Sequence, residues 1–191
     1  SEKTPAVGEM LVRFYHEAGV PQDVVRLVVG GPDEGKALAS HGDVNGVLFT
    51  GSAATGIAIN RQFAANPGKI LALEMGGSNP IIAWDTGDIA SAAALIVQSA
   101  FLSSGQRCTA ASRLIVKEDL AGLLIPETKK IADRLIVGPP HADPAPFMGP
   151  VIDNQAADQL TESFLYLMSH GGRPIKHLVR LSEEWAFLNP P

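Results

Sequence analysis

The sequence has a single cysteine, few basic residues and no long apolar run. With one cysteine the chain cannot form an internal disulfide or a cysteine-rich metal site, so Cys108 is either a small buried residue or a thiol with a chemical role. A helix that spans a bilayer needs roughly 20 apolar residues, and no run approaches that length. The first residues, Ser1 to Pro5, lack the apolar core of a secretion signal. We therefore predict a cytoplasmic protein.

Positive charge is too scarce and too scattered for nucleic-acid binding. The 15 Lys and Arg residues are outnumbered by 20 Asp and Glu, for a net charge of −5. Both signs are mixed along the chain, so no basic stripe follows a phosphate backbone. Hydrophobic residues make up 46% of the 191 residues, which is enough to bury a core. The composition predicts a globular protein of one domain or parts of two.

Predicted helices and strands alternate along the chain. Pro5 favours a helix start, and apolar residues then recur at helical spacing until Gly19. Such alternation is typical of an α/β fold with a mostly parallel sheet, in which ligands bind beyond the carboxyl ends of the strands. The predicted strands are 24–29, 47–50, 70–73, 81–83 and 113–117, and the further helices are 35–41, 53–65, 89–101 and 120–135.

A glycine-containing loop, Gly51 to Gly56, joins the strand 47–50 to the next helix. The free N–H groups and positive dipole end of a helix start favour phosphate. The loop is not the G-x-G-x-x-G fingerprint. Its glycines have Walker A spacing, but Ile57 and Ala58 stand where that motif needs Lys and Ser or Thr, which disfavours a nucleoside triphosphate. Considered alone, the loop is equally consistent with a dinucleotide site and with a plain turn capped by Ser52.

Glu74 and Cys108 are candidate catalytic residues because both lie in connections. Glu74 ends an apolar strand before a Gly-Gly turn, where burial would raise its pKa towards the range of a general base. Cys108 lies between a helix and a strand, where adjacent Arg107 or main-chain N–H groups would favour the nucleophilic thiolate. The local sequence also fits a solvated acid and an inert thiol.

Three ordered segments resemble signatures of the aldehyde dehydrogenase superfamily. They are Phe49-Thr50-Gly51-Ser52-Ala53-Ala54-Thr55-Gly56, Leu73-Glu74-Met75-Gly76-Gly77-Ser78-Asn79-Pro80 and Gly105-Gln106-Arg107-Cys108. Both their order and their spacing match. The stretches 70–77, 98–101 and 105–108 look most like semialdehyde dehydrogenases of arginine catabolism, which implies N-succinylglutamate 5-semialdehyde as the substrate.

The resemblance implies a mechanism for the oxidation of an aldehyde to a carboxylate. Cys108 would attack the aldehyde to form a thiohemiacetal, hydride transfer to NAD would leave a thioester, and Glu74 would activate the hydrolytic water. NADP is left open, since Glu2 favours NAD only by repelling a 2′-phosphate.

The resemblance also assigns cofactor-binding and structural roles. Gly51 and Gly56 match glycines of the cofactor loop, which also contains Ala53, Ala54 and Thr55. Ser52 would lie near the pyrophosphate, and Glu2 would hold the adenine ribose. Phe49 would line the cofactor cleft, and Gly76 and Asn79 would shape the active-site turn.

The implied architecture is part of a Rossmann-type cofactor domain, residues 1–74, and part of an α/β catalytic domain, residues 75–174. Residues 175–191 depart from the family pattern and are interpreted as a divergent tail. Family members are more than twice as long, so we expect a truncated member. Their oxyanion asparagine, nicotinamide-ribose segment and oligomerisation strand fall outside this stretch. The family is homo-oligomeric.

Two other functions remain open. The chain could be a noncatalytic fragment that binds nucleotide weakly or pairs with another chain. It could instead be a cysteine hydrolase that uses a histidine, although no histidine has a recognisable protease context. The candidate histidines are His16, His41, His141, His170 and His177.

Overall fold

The computed structural model describes residues 2–182 and 184–191, and the chain divides into two compact units, residues 1–75 and 76–191. Each unit contains two strands that pair in parallel. Helices lie between them in the chain, so the described residues form the predicted α/β arrangement. None of the helices in this described part combines the length and apolar composition needed to cross a membrane.

The bounds of most elements agree with the predicted ones to within a few residues. The helices are α1 Pro5–Glu17, α2 Pro32–Ser40, α3 Ala53–Phe63, α4 Ile89–Phe101, α5 Glu118–Ala132 and α6 Asn154–Ser169. The strands are β1 Gly46–Gly51, β2 Ile70–Met75, β3 Asn79–Ala83 and β4 Ala111–Val116. A short turn, Leu102–Gly105, follows α4 directly.

In the first unit, β1 and β2 pair from Gly46↔Ile70 to Gly51↔Met75, and α3 forms the crossover between them. Alternate residues of a strand point to opposite faces of a sheet. Half-buried Phe49 and Leu73 lie on the face that α3 covers. The opposite face exposes Leu48, whose side chain is 83% accessible. Only one face of this sheet is therefore packed within the described unit.

The second unit has its main core where α4 and α5 pack on the sheet of β3 and β4. Asp88 begins α4 by accepting a hydrogen bond from the Ser91 backbone N–H at 3.0 Å. Ala93 and Ile96 of α4 and Leu124 of α5 are buried together, against half-buried residues of both strands. This core fixes α4, and therefore the chain that leaves its carboxyl end.

A second cluster packs α6 against the last residues of the chain. Val151, Ala157, Ala186 and Leu188 are buried in it. Arg180 donates hydrogen bonds to Asp158 and Asn154, both at 2.7 Å, which ties residues 175–191 to α6. The described part of the segment interpreted as a divergent tail thus packs on α6, within the second unit.

The prediction of a strand over Val24–Val29 is wrong. The Val24 N–H donates to Pro21 O in a turn at 3.0 Å, and the Val25 carbonyl binds His16 Nε2 at 2.9 Å. These local contacts use backbone groups that a ladder would need, and no strand of the described residues lies beside the segment. The β-branched side chains favoured a strand, but a strand also needs a partner.

Helix α6 has no counterpart among the sequence predictions. Its signal was present, because Asp153 accepts a hydrogen bond from the Ala156 N–H at 2.8 Å as an N-cap. The residues after that cap also repeat apolar positions at helical spacing.

An ion-pair cluster at the end of α5 makes stability depend on pH. Asp133 binds Lys129 and lies 3.2 Å from Lys176. Hydrogen bonds from Lys129 first, and then from Lys176, lower the pKa of Asp133 from its ordinary value of 3.8. A lowered pKa in the folded state means that the carboxylate stabilises the fold above the unfolded pKa, and that this contribution disappears as pH falls through the folded value.

We predict that Asp133→Asn lowers the urea midpoint slightly at pH 7, since an exposed ion pair is screened by solvent. The difference from the parent should shrink as pH falls below about 4, where the unfolded carboxyl is protonated. Urea titrations across this pH range measure both effects. Glu162→Gln, on exposed α6, controls for the loss of one negative charge. A gap that stays constant into acid would contradict the assignment.

Candidate functional site

The first candidate site is a cleft in the first unit beside the start of α3. It has a volume of about 1160 Å³. Residues from α2, β1 and α3 line it, together with Glu2 near the amino terminus. Among the predicted cofactor residues, the lining includes Glu2, Phe49, Gly51, Ser52, Ala54 and Thr55. The cleft is large enough for a nucleotide-sized ligand.

Ser52 caps α3 at the wall of this cleft. Its Oγ accepts the Thr55 backbone N–H at 3.2 Å and lies 2.9 Å from Thr55 Oγ1. The cap satisfies one of the helix's first N–H groups and leaves others of the first turn without an intrahelical acceptor. The helix start therefore offers N–H donors and a positive dipole end to an anion.

The two glycines of the loop are each required by close packing, but against different neighbours. At Gly51 a Cβ would lie 2.5 Å from Phe49 Cζ, so the aromatic ring occupies the space of a side chain. At Gly56 a Cβ would lie 2.5 Å from Met75 Sδ, because α3 approaches β2 closely there. Gly56 is one of the buried residues of α3. Gly51 thus leaves room for the Phe49 ring at the strand end, and Gly56 permits close packing of helix on sheet.

Glu74 lies one residue before the end of β2 and pairs in register with Thr50. Its side chain is exposed, as in the alternative of a solvated acid that the local sequence left open. The physical reason is strand alternation. Leu73 and Met75 point towards α3, and Glu74 points to the uncovered face.

Cys108 lies in the second unit, on the loop between α4 and β4. Its thiol is free and exposed. The loop approaches the amino-terminal end of β4, beside Asn79 at the amino-terminal end of β3. The cleft of the first unit lies at the carboxyl end of a strand, where ligands of parallel sheets usually bind. Cys108 instead lies at the amino-terminal ends of the strands of its own sheet.

The Asn79 side chain holds the backbone of the cysteine. Its Nδ2 donates to the Cys108 carbonyl at 2.6 Å and to the Ala110 carbonyl at 3.1 Å. A primary amide nitrogen has two hydrogens, so one side chain satisfies both acceptors. Asn79 therefore fixes the peptide planes that follow Cys108 and Ala110.

Arg107 is bound to the end of α4. Its guanidinium donates to Ser99 O at 3.0 Å and to Gln98 O and Leu102 O, both at 3.3 Å. Gln98 and Ser99 belong to the last turn of α4 and Leu102 is its C-cap, so the guanidinium lies at the helix end that carries negative dipole character. The neighbour that the sequence offered as an electrostatic partner for the thiol thus caps the helix.

Three consecutive residues before the cysteine have left-handed backbone conformations. Ser103, Ser104 and Gly105 have φ values of 56°, 55° and 69°. The left-handed region costs a non-glycine residue roughly 1 to 2 kcal/mol, so the two serines are strained. Ser104 Oγ donates to the Gly149 carbonyl at 2.8 Å, a contact that stabilises the turn.

The structure brings together only some of the predicted site residues. Ala53 opens α3, whereas Gly76 is exposed at the start of the second unit, and no neighbour within 4 Å would meet a Cβ there. Sequence reasoning missed Gln106 and Ser104 as contacts of the cysteine loop, although both lie in or beside the Gly-Gln-Arg-Cys segment. Each makes a contact more than 40 residues away in the chain, which no local pattern reveals.

Two of the histidines considered for a hydrolase have other contacts. His170 stacks on Tyr166 with ring centroids 4.0 Å apart, and His177 makes an edge contact with Phe164 at 6.4 Å. Both rings therefore pack on α6. Nothing in these contacts favours a cysteine–histidine pair.

Comparison with known proteins gives one consistent result. A family model described as the aldehyde dehydrogenase family matches residues 1–179. The chain is 68% identical over 190 residues to an N-succinylglutamate 5-semialdehyde dehydrogenase of Sphingopyxis alaskensis, and 65% identical to that of Novosphingobium aromaticivorans. Each alignment covers 100% of this chain but only 40% of the relative, so the chain spans less than half of their length.

Solved structures agree. A 1-pyrroline-5-carboxylate dehydrogenase from Thermus with bound NAD is 32% identical, with a TM-score of 0.84 over 97% of this chain and 36% of that one. A methylmalonate-semialdehyde dehydrogenase from Oceanimonas doudoroffii is 28% identical, with a TM-score of 0.86 over 94% of this chain and 38% of that one. The predicted family resemblance and α/β fold class are confirmed.

We predict that Asn79→Asp loosens the cysteine loop, because an ionised carboxylate cannot donate to the carbonyls of Cys108 and Ala110. The loss of the donors to one exposed and one partly buried carbonyl should destabilise the unit by about 1 to 3 kcal/mol. Urea unfolding measures the loss, and Asn60→Asp, at an exposed position of α3, is the matched control. Equal destabilisation by both substitutions would contradict the role given to Asn79.

Proposed function

This chain belongs to the aldehyde dehydrogenase family, and we propose that it contains the nucleophile and the general base of an NAD(P)-dependent oxidation of an aldehyde to a carboxylate. Cys108 is the proposed nucleophile and Glu74 the proposed base. The observation that carries the proposal is the free, exposed thiol of Cys108 on a loop that several side chains hold. An accessible thiol with an ordered backbone suits nucleophilic attack.

In this proposal the cleft of the first unit holds the cofactor. Ser52, Ala54 and Thr55 present the start of α3 to the pyrophosphate, and Phe49 forms part of the wall. Gly51 and Gly56 keep backbone and packing distances that a side chain would disturb. Ala53 belongs to the same helix start, Gly76 to the turn after β2, and Glu2 would bind the adenine ribose. When bound, NAD(P) supplies the acceptor for a hydride.

Cys108 and Glu74 have separate steps in this scheme. The thiolate sulfur of Cys108 bonds to the aldehyde carbon, and the carbonyl electron pair moves to oxygen. Loss of hydride from that carbon restores the C=O bond and leaves a thioester on Cys108. Glu74 removes a proton from water, whose oxygen attacks the thioester carbon; the C–S bond then breaks and the carboxylic acid leaves.

The proposed substrate is N-succinylglutamate 5-semialdehyde, and support comes from the names of the relatives that are 65% and 68% identical. NAD is the proposed cofactor, with NADP as the alternative. The solved relative from Thermus has NAD bound, which supports this choice. Self-association and a cytoplasmic location stay predictions.

A noncatalytic role is the second candidate. The sheet faces not covered by helices expose large apolar residues, including Leu48, Ile70 and Ile82, which are 83%, 69% and 62% accessible. Apolar faces of parallel strands are normally covered, so pairing with another polypeptide is the function that this observation favours. Turnover without a partner would remove this candidate.

We predict that the chain binds NAD, and that Gly51→Val weakens binding at least tenfold, because a Cβ there would displace the Phe49 ring from the cleft wall. Calorimetric titration with NAD and then with NADP measures the affinities. Gly68→Val is the matched control, since no atom lies within 4 Å of the position of its Cβ. If neither nucleotide bound, or if both variants bound equally, the cofactor assignment would fail.

We predict that Cys108 is acylated by a p-nitrophenyl ester, and that Cys108→Ser abolishes the burst of p-nitrophenol. Glu74→Gln should leave the burst intact and slow release of the acyl group about 100-fold, the usual contribution of a general base. Mass spectrometry follows the acylated chain, with Glu162→Gln as control. Normal deacylation in Glu74→Gln would assign the base elsewhere. Formation of NADH with N-succinylglutamate 5-semialdehyde then tests the whole reaction.

A further inference from the structure

A segment without regular secondary structure, residues 149–152, is hydrogen-bonded to the cysteine loop, and we call it the strap. Its backbone makes contacts in two directions. The Val151 N–H donates to the Ala186 carbonyl at 2.9 Å, so the strap is tied to the last residues of the chain. The Gly149 carbonyl accepts from Ser104 Oγ at 2.8 Å, so it is also tied to the turn before Cys108.

Gln106 makes the central contact between the loop and the strap. Its Oε1 accepts the Ile152 backbone N–H at 2.8 Å, and its Nε2 lies 3.5 Å from the Pro150 carbonyl as a donor. The amide therefore binds the strap as a neighbouring strand would, with the acceptor bond much the shorter. A primary amide presents both a donor and an acceptor on one planar group.

The cysteine loop needs such an external attachment. The left-handed conformations of Ser103 and Ser104 persist only where surrounding contacts hold them. Asn79 holds the loop on the β4 side of Cys108, and Arg107 holds the α4 end. Gln106 is the attachment between those two, two residues before the thiol. Its partner strap is itself fixed, because Val151 and Ala186 are both buried.

We propose that Gln106 is a positioning residue for Cys108, which it fixes through the strap at residues 150 and 152. The proposal rests on the proposed function, because positioning matters only if Cys108 reacts. It also gives the last residues of the chain a role, since Ala186 supports the strap. The hydrogen bonds of its side chain join main-chain groups of the strap, so Gln106 acts through the loop.

The test compares Gln106→Met, Gln106→Glu and the control Gln155→Met, on exposed α6, in the full chain. Methionine has a similar length and neither donates nor accepts well, whereas glutamate keeps the acceptor for the Ile152 N–H. Amide hydrogen exchange at Ile152 and Ala110 reports the strap and the loop. The pH profile of Cys108 alkylation by iodoacetamide reports the thiol, with no nucleotide or aldehyde present.

We expect Gln106→Met to speed exchange at both amides at least tenfold and to move the alkylation profile to that of an unstructured cysteine peptide. Gln106→Glu should restore slow exchange at Ile152, and Gln155→Met should match the parent. If Gln106→Met failed to fold, Gln106→Glu would decide the matter. Exchange at Ile152 as slow as in the parent would support the hydrogen bond between residue 106 and the strap, and fast exchange would overturn the proposal.

Unchanged exchange in Gln106→Met would overturn the proposal. Faster exchange with an unchanged alkylation profile would also overturn it, because Gln106 would then be only structural. A parent thiol that already behaved as a free peptide would contradict the proposed function. The exchange rates would still show whether Gln106 binds the strap, so the two failures can be distinguished.

Discussion

The second unit depends on one pairing, the parallel register that sets Asn79 of β3 beside Ala111 of β4. Parallel neighbours require a crossover, and here the chain must leave the far end of β3, pass through α4 and return to the amino-terminal edge. The return is made by the cysteine loop. Since Asn79 lies at the edge where the loop arrives, its amide binds the carbonyls of Cys108 and Ala110.

Hydrogen bonds from side chains to main-chain groups, more than charge pairs, hold the conformation of the cysteine loop. The Arg107 guanidinium donates to carbonyls at the end of α4, and Gln106 and Ser104 bind main-chain groups of the strap. These contacts offset the strain of a left-handed turn, and they make the positions around an exposed thiol reproducible. Preorganisation of this kind is what a nucleophile needs before any electrostatic activation.

In the first unit, a crossover of the same kind, from β1 through α3 to β2, places a helix start beside the cleft. There α3 begins directly after β1, so the capped helix start lies at the carboxyl end of the strand. Glycine at position 56 lets α3 sit close to β2. The side of the sheet opposite α3 carries Glu74 together with exposed apolar residues. A parallel sheet with one apolar face uncovered gains stability when that face is packed.

The sequence by itself determined the family, the α/β class and most of the elements. Those properties are recorded in motif order, in hydrophobic periodicity and in caps such as Ser52 and Asp88, all of which act over a few residues. The tertiary structure alone decided that Val24–Val29 forms no strand, that Glu74 faces the open side of its sheet and that Arg107 caps a helix. It also decided which distant groups hold Cys108, because Gln106 and its strap are more than 40 residues apart in the chain. Such contacts depend on how elements pack, and local patterns carry no information about the partner.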